Sequence, residues 1–211
     1  MIKLMIVDDH AMFRDGLRNQ FQSCADIKLV GEADSAATLL PQLDRTKPSV
    51  IILDIKLPDG SGTALIPKIK AALPRCKIVI LTMYDHPRYA VHALEQGADG
   101  FVLKGASFEE LMAAVLGVAA GKIFISREMA GKLAVNTRNG NRGTTPLDTL
   151  SKREFEVLTH LGRGISVKDT ADILKLSVKT ISTYKQRLML KLNLHSQVEF
   201  IRFAIDSGLE E

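Results

Sequence analysis

Short apolar runs alternate with longer amphipathic segments through the first part of the chain, up to about residue 121. The apolar runs have the length of buried strands and cover residues 4–7, 27–30, 50–53, 78–81 and 101–103. The amphipathic segments have helical spacing and lie near residues 11–22, 35–45, 62–72, 87–96 and 108–118. Strands that alternate with helices form parallel sheets with helices on both faces. We therefore predict an α/β domain with a doubly wound, five-stranded parallel sheet.

Serine residues mark helix starts late in this region, and a polar segment follows them. Ser107 precedes Glu110 by three residues, which is the spacing of a capping box, and Ser126 is expected to cap a further short helix.

Residues 136–149, NTRNGNRGTTPLDT, have the composition of a linker. The predicted parts of the chain are a first domain at 1–121, a linker with a short helix at 122–149 and a second domain at 150–211.

The second domain contains only helical patterns. Capping boxes begin two of its helices, one from Ser151 to Glu154 and the other from Ser196 to Glu199. The predicted helices lie near residues 152–161, 167–174, 178–192 and 197–206. A tight turn at 175–177 separates a short helix from a longer one, which is a helix-turn-helix pattern. We predict an all-α, four-helix domain of that type.

The longer helix has an apolar and a polar face when its residues are placed at steps of about 100°. Ile181, Leu188 and Leu192 share the apolar face and should pack inward. The opposite face is polar, and residues 175–191 include five basic residues and no acid. Small polar side chains suit base edges in the major groove, whereas Lys and Arg suit phosphates. The expected DNA contacts are Lys179, Thr180, Ser182, Thr183, Lys185, Gln186, Arg187 and Lys191.

Charge is distributed unevenly along the chain. Residues 1–120 carry 13 basic and 14 acidic side chains, whereas residues 121–211 carry 15 basic and 10 acidic ones. This imbalance favours a polyanion as the partner of the C-terminal region.

Hydrophobic residues make up 46% of the chain and charged residues 25%, which is an ordinary globular composition. No run approaches the ~18 apolar residues of a membrane span, and the first residues lack the pattern of a signal peptide. The two cysteines have neither metal nor redox spacing, as is usual in a reducing compartment. We therefore expect a cytoplasmic protein without a membrane partner.

Polar and charged residues follow four of the predicted strands. They are Asp8 and Asp9 after the first strand, Asp54 after the third, Thr82 after the fourth and Lys104 after the fifth. Because ligands bind at the carboxyl ends of parallel strands, these side chains should converge. Clustered carboxylates stay charged only beside a cation, and hard oxygen ligands suit Mg²⁺. Asp54 could then act as a nucleophile towards a phosphoryl group whose charge Lys104 and the metal neutralise, and Thr82 could bind a phosphate oxygen.

Residues 1–121 resemble a response-regulator receiver domain through the acids and the motifs LDIKLPDGSG, LTMY and GADGFVLK. The resemblance implies a flavodoxin-like fold. It also implies that Asp54 is the phosphoacceptor and that Asp8, Asp9 and Asp54 bind Mg²⁺. It also implies that the backbone carbonyl of Lys56 completes the protein ligands. The switch residues would be Thr82 and Phe101, and Lys104 would pair with the phosphoryl group.

Residues 150–206 resemble a LuxR-type helix-turn-helix domain through LSKREFEVL, GISVKDTADIL, LSVKTISTYKQRLMLKL and SQVEFIRFA. The whole chain is therefore similar to a NarL/FixJ-type two-component response regulator. Ser182 and Tyr184 stand where this family often has Lys and His, which leaves the fold unaffected but puts the operator sequence in doubt. Ser182 discriminates bases less well than a long basic side chain, so specificity could rest on neighbouring residues or on DNA shape.

The resemblance implies a regulator of transcription rather than an enzyme. Its only catalysis would be Mg²⁺-dependent self-phosphorylation and slow autodephosphorylation at Asp54. The implied partners are a cognate histidine kinase or phosphotransfer protein, a two-fold promoter site on double-stranded DNA, a second copy of the phosphorylated chain, and RNA polymerase as a further candidate. The dimer would form through the region of residues 87–117, and phosphorylation could alternatively free the second domain from the first.

Two other functions are alternatives to that of a response regulator. A phosphatase of the haloacid-dehalogenase kind uses a second acid two residues after its nucleophile, and that position is Lys56 here. A transcription factor with a degenerate receiver, controlled by a protein partner or small ligand, is disfavoured because all five polar residues are intact. A phosphorylation assay separates this last alternative from a response regulator.

Overall fold

The computed structural model describes residues 1–138, 146–207 and 209. The chain divides into two compact units, Met1–Val135 and Asn136–Glu211. The first unit thus extends beyond residue 121, where the first domain was predicted to end. Residues 139–145 of the predicted linker lie outside the described residues.

The first unit alternates strands and helices along the chain. Its strands are β1 (Ile2–Val7), β2 (Ile27–Ala33), β3 (Val50–Leu53), β4 (Lys56–Leu57), β5 (Gly60–Ser61), β6 (Lys77–Thr82), β7 (Gly100–Leu103) and β8 (Phe124–Ile125). Its helices are α1 (Ala11–Gln22), α2 (Ala36–Leu39), α3 (Leu43–Thr46), α4 (Gly62–Ala72), α5 (Pro87–Glu95), α6 (Phe108–Ala119) and α7 (Arg127–Arg138). The predicted doubly wound α/β fold is confirmed.

Six parallel strands form the main sheet, in the order β2-β1-β3-β6-β7-β8. The prediction of five strands was one short, because β8 has only two residues and lies in an apolar run of three, Ile123 to Ile125, that was not recognised as a strand. Strands β4 and β5 form a separate two-stranded hairpin directly after β3. The strand order reverses direction at β1, and such switch points open a crevice at the carboxyl ends of the adjacent strands.

The sheet is buried because nearly all residues of β1, β3, β6 and β7 are apolar. One face packs against α1 and α6, where Phe21 and Val115 belong to the same cluster as Ile6, Ile52 and Val79. Alternate residues of a strand point to the opposite face, so Ile51 and Leu53 face away from that cluster. Burial on both faces holds the strand ends in fixed positions.

The segment near residues 35–45, which was predicted to be one helix, is interrupted. It contains α2, a 3₁₀ turn over Leu40–Gln42 and then α3. Pro41 explains the interruption, because it has no backbone N–H and its ring conflicts with the carbonyl four residues earlier. The prediction missed this proline as a break.

The capping predictions in this unit hold only in part. The Ser107 side chain accepts a hydrogen bond from the Glu110 N–H, as expected for a cap. The Glu110 carboxylate, however, accepts from the Arg127 N–H at 2.7 Å. The hydroxyl of Ser126 is buried and has no hydrogen-bond partner among the described residues, so the first turn of α7 is capped by Glu110 rather than by Ser126.

The second unit contains α8 (Lys152–Gly162), α9 (Val167–Leu174), α10 (Val178–Lys191) and α11 (Gln197–Asp206), preceded by a 3₁₀ turn at Pro146–Thr149. The predicted four-helix domain is confirmed. Both arms of the capping box between Ser151 and Glu154 are present. Between α9 and α10, Lys175 adopts a left-handed conformation with φ of 53° and makes the tight turn. Within the described part of the chain, no helix combines the length and the apolar character that a membrane span requires.

Candidate functional site

The predicted polar residues converge at the carboxyl edge of the sheet. Asp8 directly follows β1, Asp54 follows β3, Thr82 ends β6 and Lys104 follows β7. Asp8, Asp54 and Thr82 are buried, with exposed fractions of 2%, 3% and 1%. Backbone hydrogen bonds fix these positions, because the Asp54 N–H donates to Val7 and the Lys104 N–H donates to Thr82. The edge is therefore a buried polar site at the end of an apolar sheet.

Lys104 joins two of the carboxylates. Its Nζ atom lies 2.5 Å from Asp54 Oδ2 and 2.8 Å from Asp8 Oδ2. The lysine side chain is only 6% exposed and lies over the ring of Phe13, with 4.9 Å between Nζ and the ring centroid. One cation thus neutralises part of the charge of two acids that are brought together from distant parts of the sequence.

Burial and neighbouring charges shift the pKa values at this site. Burial raises the pKa of Asp54, and Asp8 raises it further, while Lys104 opposes the shift without cancelling it. Burial acts to lower the pKa of Lys104, but Asp54 and Asp8 outweigh it and the net shift is upward. Lys104 therefore stays charged, whereas the charged form of Asp54 is disfavoured unless more positive charge arrives.

The donor atoms around Asp54 fit a divalent cation. Ligand atoms of Asp8, Asp9, His10 and Asp54 all lie within 4.8 Å of one another. Within the part of the chain that the structure describes, Asp9 Oδ1 is buried without a hydrogen-bond partner. His10 Nδ1 lies 2.7 Å away, but the two atoms are not aligned for a hydrogen bond. An unsatisfied carboxylate oxygen beside two further carboxylates matches the oxygen-rich sites that bind Mg²⁺. The positions of the histidines along the sequence predict no metal-ligand grouping, but the structure places His10 in this cluster beside the acid pair.

Lys56 and Gly62, which both follow Asp54 in the sequence, contact it directly. The Lys56 N–H donates to Asp54 Oδ1 at 3.3 Å, and Lys56 begins the β4–β5 hairpin. This places Lys56 beside the carboxylates, and a role for its carbonyl as a metal ligand stays a prediction. Gly62, which was not singled out from the sequence, packs against Asp54: a Cβ atom at Gly62 would lie 1.8 Å from the Asp54 carbonyl oxygen. The PDGSG motif contains the signal for this close approach.

The two predicted switch residues lie on neighbouring strands. Thr82 Oγ1 is buried and accepts from the Tyr84 N–H at 3.4 Å. Phe101 pairs in register with Ile80 and is fully buried. The side chain of Phe101 therefore lies inside the receiver core in this structure. Its role as a switch residue stays a prediction.

All the residues predicted to contact DNA lie on α10. One of them, Lys191, also forms an ion pair with Glu154. Ile181, Leu188 and Leu192 are buried, which confirms the predicted inner face. Lys179, Thr183, Gln186, Arg187 and Lys191 are exposed, and Thr180, Ser182 and Lys185 are half-buried. The Ser182 and Thr183 hydroxyls donate to backbone carbonyls one turn earlier, both at 3.0 Å.

Lys191 differs from the other basic residues of α10. Its Nζ atom lies 2.7 Å from the buried carboxylate of Glu154 and 3.3 Å from the Thr149 carbonyl oxygen. Burial acts to raise the pKa of Glu154, but Lys191 and the Ser151 cap outweigh it and lower the pKa. Lys191 thus connects α10 to α8, a contact that the helical spacing of the sequence does not indicate.

Comparisons with known proteins cover both units. Residues 4–116 match the response regulator receiver domain, and residues 148–204 match the bacterial regulatory proteins of the luxR family. The oxygen regulatory protein NreC of Staphylococcus haemolyticus (strain JCSC1435) is 36% identical over 214 residues, with 99% of each chain covered. The response regulator GacA of Pseudomonas aeruginosa is 32% identical over 209 residues, covering 99% of this chain and 98% of the relative.

A solved structure is also similar over both units. It is RcsB from Salmonella enterica serovar Typhimurium, bound to the promoter rprA in the presence of the phosphomimetic BeF₃⁻. The TM-score is 0.78 at 27% sequence identity, and the match covers 96% of this chain and 97% of RcsB.

Proposed function

Since the chain belongs to the two-component response regulators of the NarL/FixJ type, which join a receiver domain to a LuxR-type DNA-binding domain, we propose that phosphorylation of Asp54 controls its binding to promoter DNA. The observation that carries this proposal is the position of Lys104 Nζ, 2.5 Å from Asp54 and 2.8 Å from Asp8. A buried acid that is close to a lysine and to further acids is suited to accept a phosphoryl group rather than to stabilise the fold alone.

The two oxygens of Asp54 have different surroundings, which suggests which one reacts. Oδ2 pairs with Lys104, whereas Oδ1 accepts one long hydrogen bond from the Lys56 N–H. We assign the attack on phosphorus to Oδ1. A new O–P bond forms while the bond from phosphorus to the donor nitrogen or oxygen breaks, and its electron pair leaves with the donor. Lys104 is close enough to neutralise a phosphoryl oxygen after transfer.

The metal ligands follow from the acid cluster. Asp8, Asp9 and Asp54 would hold Mg²⁺ together with the backbone carbonyl of Lys56. When bound, the ion supplies positive charge opposite the transferring phosphoryl group. Buried carboxylates that repel one another in its absence provide the affinity for it. We expect the same site to support slow autodephosphorylation by water.

Phosphorylation would then act through Thr82. Its hydroxyl is buried beside the site and accepts a long hydrogen bond from the Tyr84 N–H, and a phosphoryl oxygen would offer this hydroxyl a stronger partner. Movement of Thr82 displaces the loop that connects β6 to α5. The surface formed by α5, β7 and α6 would change with it and favour a homodimer.

The DNA contacts would come from α10. In a helix-turn-helix domain the second helix enters the major groove, and a dimer places two such helices on a two-fold site. We propose that Lys179, Lys185 and Arg187 contact phosphates, while Ser182, Thr183 and Gln186 approach bases. Thr180 and Lys191 stay candidate contacts, although Lys191 already pairs with Glu154. A histidine kinase or phosphotransfer protein would donate the phosphoryl group, and RNA polymerase is a further candidate partner.

Phosphate uptake by the full chain tests this function. The protein is incubated with acetyl phosphate and Mg²⁺, and intact-mass spectrometry measures the incorporated phosphoryl group. We expect the wild type to be labelled, Asp54→Asn to be unlabelled and the exposed control Asp44→Asn to behave as the wild type. Undiminished labelling of Asp54→Asn would contradict the assignment, and an unlabelled wild type would favour a degenerate receiver.

A further inference from the structure

Helix α7 begins on the edge of the receiver sheet, next to the predicted switch residue Phe101. Strand β8 pairs in parallel with β7, with Phe101 opposite Ile125. The Ser126 N–H donates to the Phe101 carbonyl oxygen at 2.9 Å. The start of α7 is therefore fixed by a backbone contact to the strand that carries Phe101.

The first turns of α7 are docked on the same unit. The Glu110 carboxylate of α6 accepts from the Arg127 N–H at 2.7 Å. Met129, two residues further along, is completely buried. These contacts make the beginning of α7 part of the receiver, while its end continues towards the second unit along the chain.

One ion pair connects the middle of α7 to the loop that follows β6. Lys132 Nζ lies 2.6 Å from Asp85 Oδ2, and Asp85 is three residues beyond Thr82. The same amine lies 2.9 Å from Glu128 Oε1, one turn earlier on α7. Hydrogen bonds to Asp85 and then to Glu128 raise the pKa of Lys132, so the lysine stays charged at neutral pH.

We propose that the Asp85–Lys132 ion pair couples the phosphorylation state of the receiver to α7, the helix that leads to the DNA-binding unit. The proposal rests on the proposed function, because it requires Thr82 to move towards a phosphoryl group on Asp54. Asp85 follows Thr82 in the same loop, so this movement displaces its carboxylate. Its side chain is 66% exposed, and Lys132 keeps Glu128 as an alternative partner, so the pair separates at small cost.

The direction of the coupling follows from linkage. The ion pair holds the loop between β6 and α5 in the arrangement in which Thr82 Oγ1 accepts from the Tyr84 N–H, so it opposes the movement of Thr82 towards a phosphoryl group. Its loss should favour the arrangement that phosphorylation favours, and by reciprocity it should raise the equilibrium constant for phosphorylation. The strength of an exposed pair limits this increase to about twofold to fivefold.

Hydrogen exchange of the full chain tests the proposal directly. Amides of residues 130–135 are followed before and after treatment with acetyl phosphate and Mg²⁺. In the wild type we expect phosphorylation to accelerate their exchange by about twofold to fivefold. In Asp85→Asn and Lys132→Gln the exchange should already be accelerated before phosphorylation and should then change little. The exchanged pair, Asp85→Lys with Lys132→Asp, should restore the wild-type response.

A matched control separates this pair from the charge of Lys132 itself. Glu128→Gln removes the other partner of Lys132 and leaves Asp85 in place, so it should retain the response to phosphorylation. The proposal would be overturned if phosphorylation no longer accelerated exchange in Glu128→Gln. It would also be overturned if phosphorylation still accelerated exchange in both Asp85→Asn and Lys132→Gln. Mass spectrometry of the same samples reports phosphoryl uptake. An unlabelled wild type would reject the proposed function, whereas labelling without any change in α7 would reject only the coupling.

Discussion

The two functional regions of this protein place their charges in opposite ways. At the receiver site, Asp54 and Lys104 are almost completely buried and bind each other. On the outer face of α10, Lys179 and Arg187 are exposed to solvent. The fold therefore brings the charges of the receiver site together, whereas the charges on the outer face of α10 are exposed and accessible to a partner of opposite charge.

This difference predicts different consequences of substitution. A change in the receiver cluster leaves buried charges unbalanced, so it should alter both the stability of the fold and the chemistry of the site. A change on the α10 face should leave stability nearly unchanged and alter only DNA binding. Lys191 is the informative exception, because it lies on α10 but pairs with a buried acid.

The largest effect is expected from Lys104→Met. Removing this cation leaves Asp54 and Asp8 buried without compensation, which should lower the free energy of unfolding by about 3–5 kcal/mol in Mg²⁺-free buffer at pH 7. Because burial already raises the pKa of Asp54, a proton can replace the lysine charge as the pH falls. The loss should therefore be smaller near pH 5 than at pH 7.

Urea unfolding at the two pH values measures this loss, and Lys179→Met on α10 is the control. We expect the control to change stability by less than about 0.5 kcal/mol. Equal effects of the two substitutions would remove the distinction between the two regions.

A smaller effect is expected from Gly62→Ala. The added Cβ atom would lie 1.8 Å from the Asp54 carbonyl oxygen and 2.9 Å from its carbonyl carbon, so the backbone must move. Overpacking of this kind costs about 1–3 kcal/mol, and the displaced Asp54 should take up phosphate more slowly. Gly16→Ala in α1 is the matched control, because its Cβ atom would have no neighbour within 4 Å.

Thermal unfolding and labelling with acetyl phosphate check both glycine variants. The Gly16 variant should be more stable by up to about 1 kcal/mol, since alanine favours a helix, and its labelling should be unchanged. If Gly62→Ala is labelled at the wild-type rate, close packing at Gly62 does not position Asp54.

The smallest effects compare two lysines of α10. Lys191→Met leaves the buried Glu154 without its cation and should lower stability by up to about 1 kcal/mol. Lys179→Met should leave stability unchanged but weaken binding to a random-sequence DNA duplex and reduce the slope of its salt dependence by about 1. Urea unfolding and fluorescence anisotropy over a salt series distinguish the two. The reverse pattern would mean that Lys191 binds phosphate and Lys179 stabilises the fold.

The parts of the fold predicted correctly are those with a local signal. The run at 50–53 is apolar at every position and became β3 with the same bounds. The convergence of Asp8, Asp54, Thr82 and Lys104 also followed, because parallel strands end at one edge. Local spacing was sufficient here, since each of these four residues directly follows or ends a strand.

The features that were missed depend on contacts between distant residues. Glu110 has the spacing of a capping box, but its carboxylate binds the Arg127 N–H instead. Lys191 has the position of a phosphate contact, but it pairs with Glu154, which is 37 residues earlier. The β8 strand has two residues, which is too short for a periodic pattern. Such partners are set by the tertiary fold, and no window of the sequence contains both members.

The pairing of β8 with β7 also determines where the receiver can be separated from the rest of the chain. A fragment ending at residue 121 would lack β8 and the docked turns of α7, and the backbone groups of β7 along that edge would lose their partners. Unpaired strand edges add strands from other molecules, so such a fragment would be prone to self-association. A fragment ending after Val135 retains the short outer strand and should stay monomeric and monodisperse during purification.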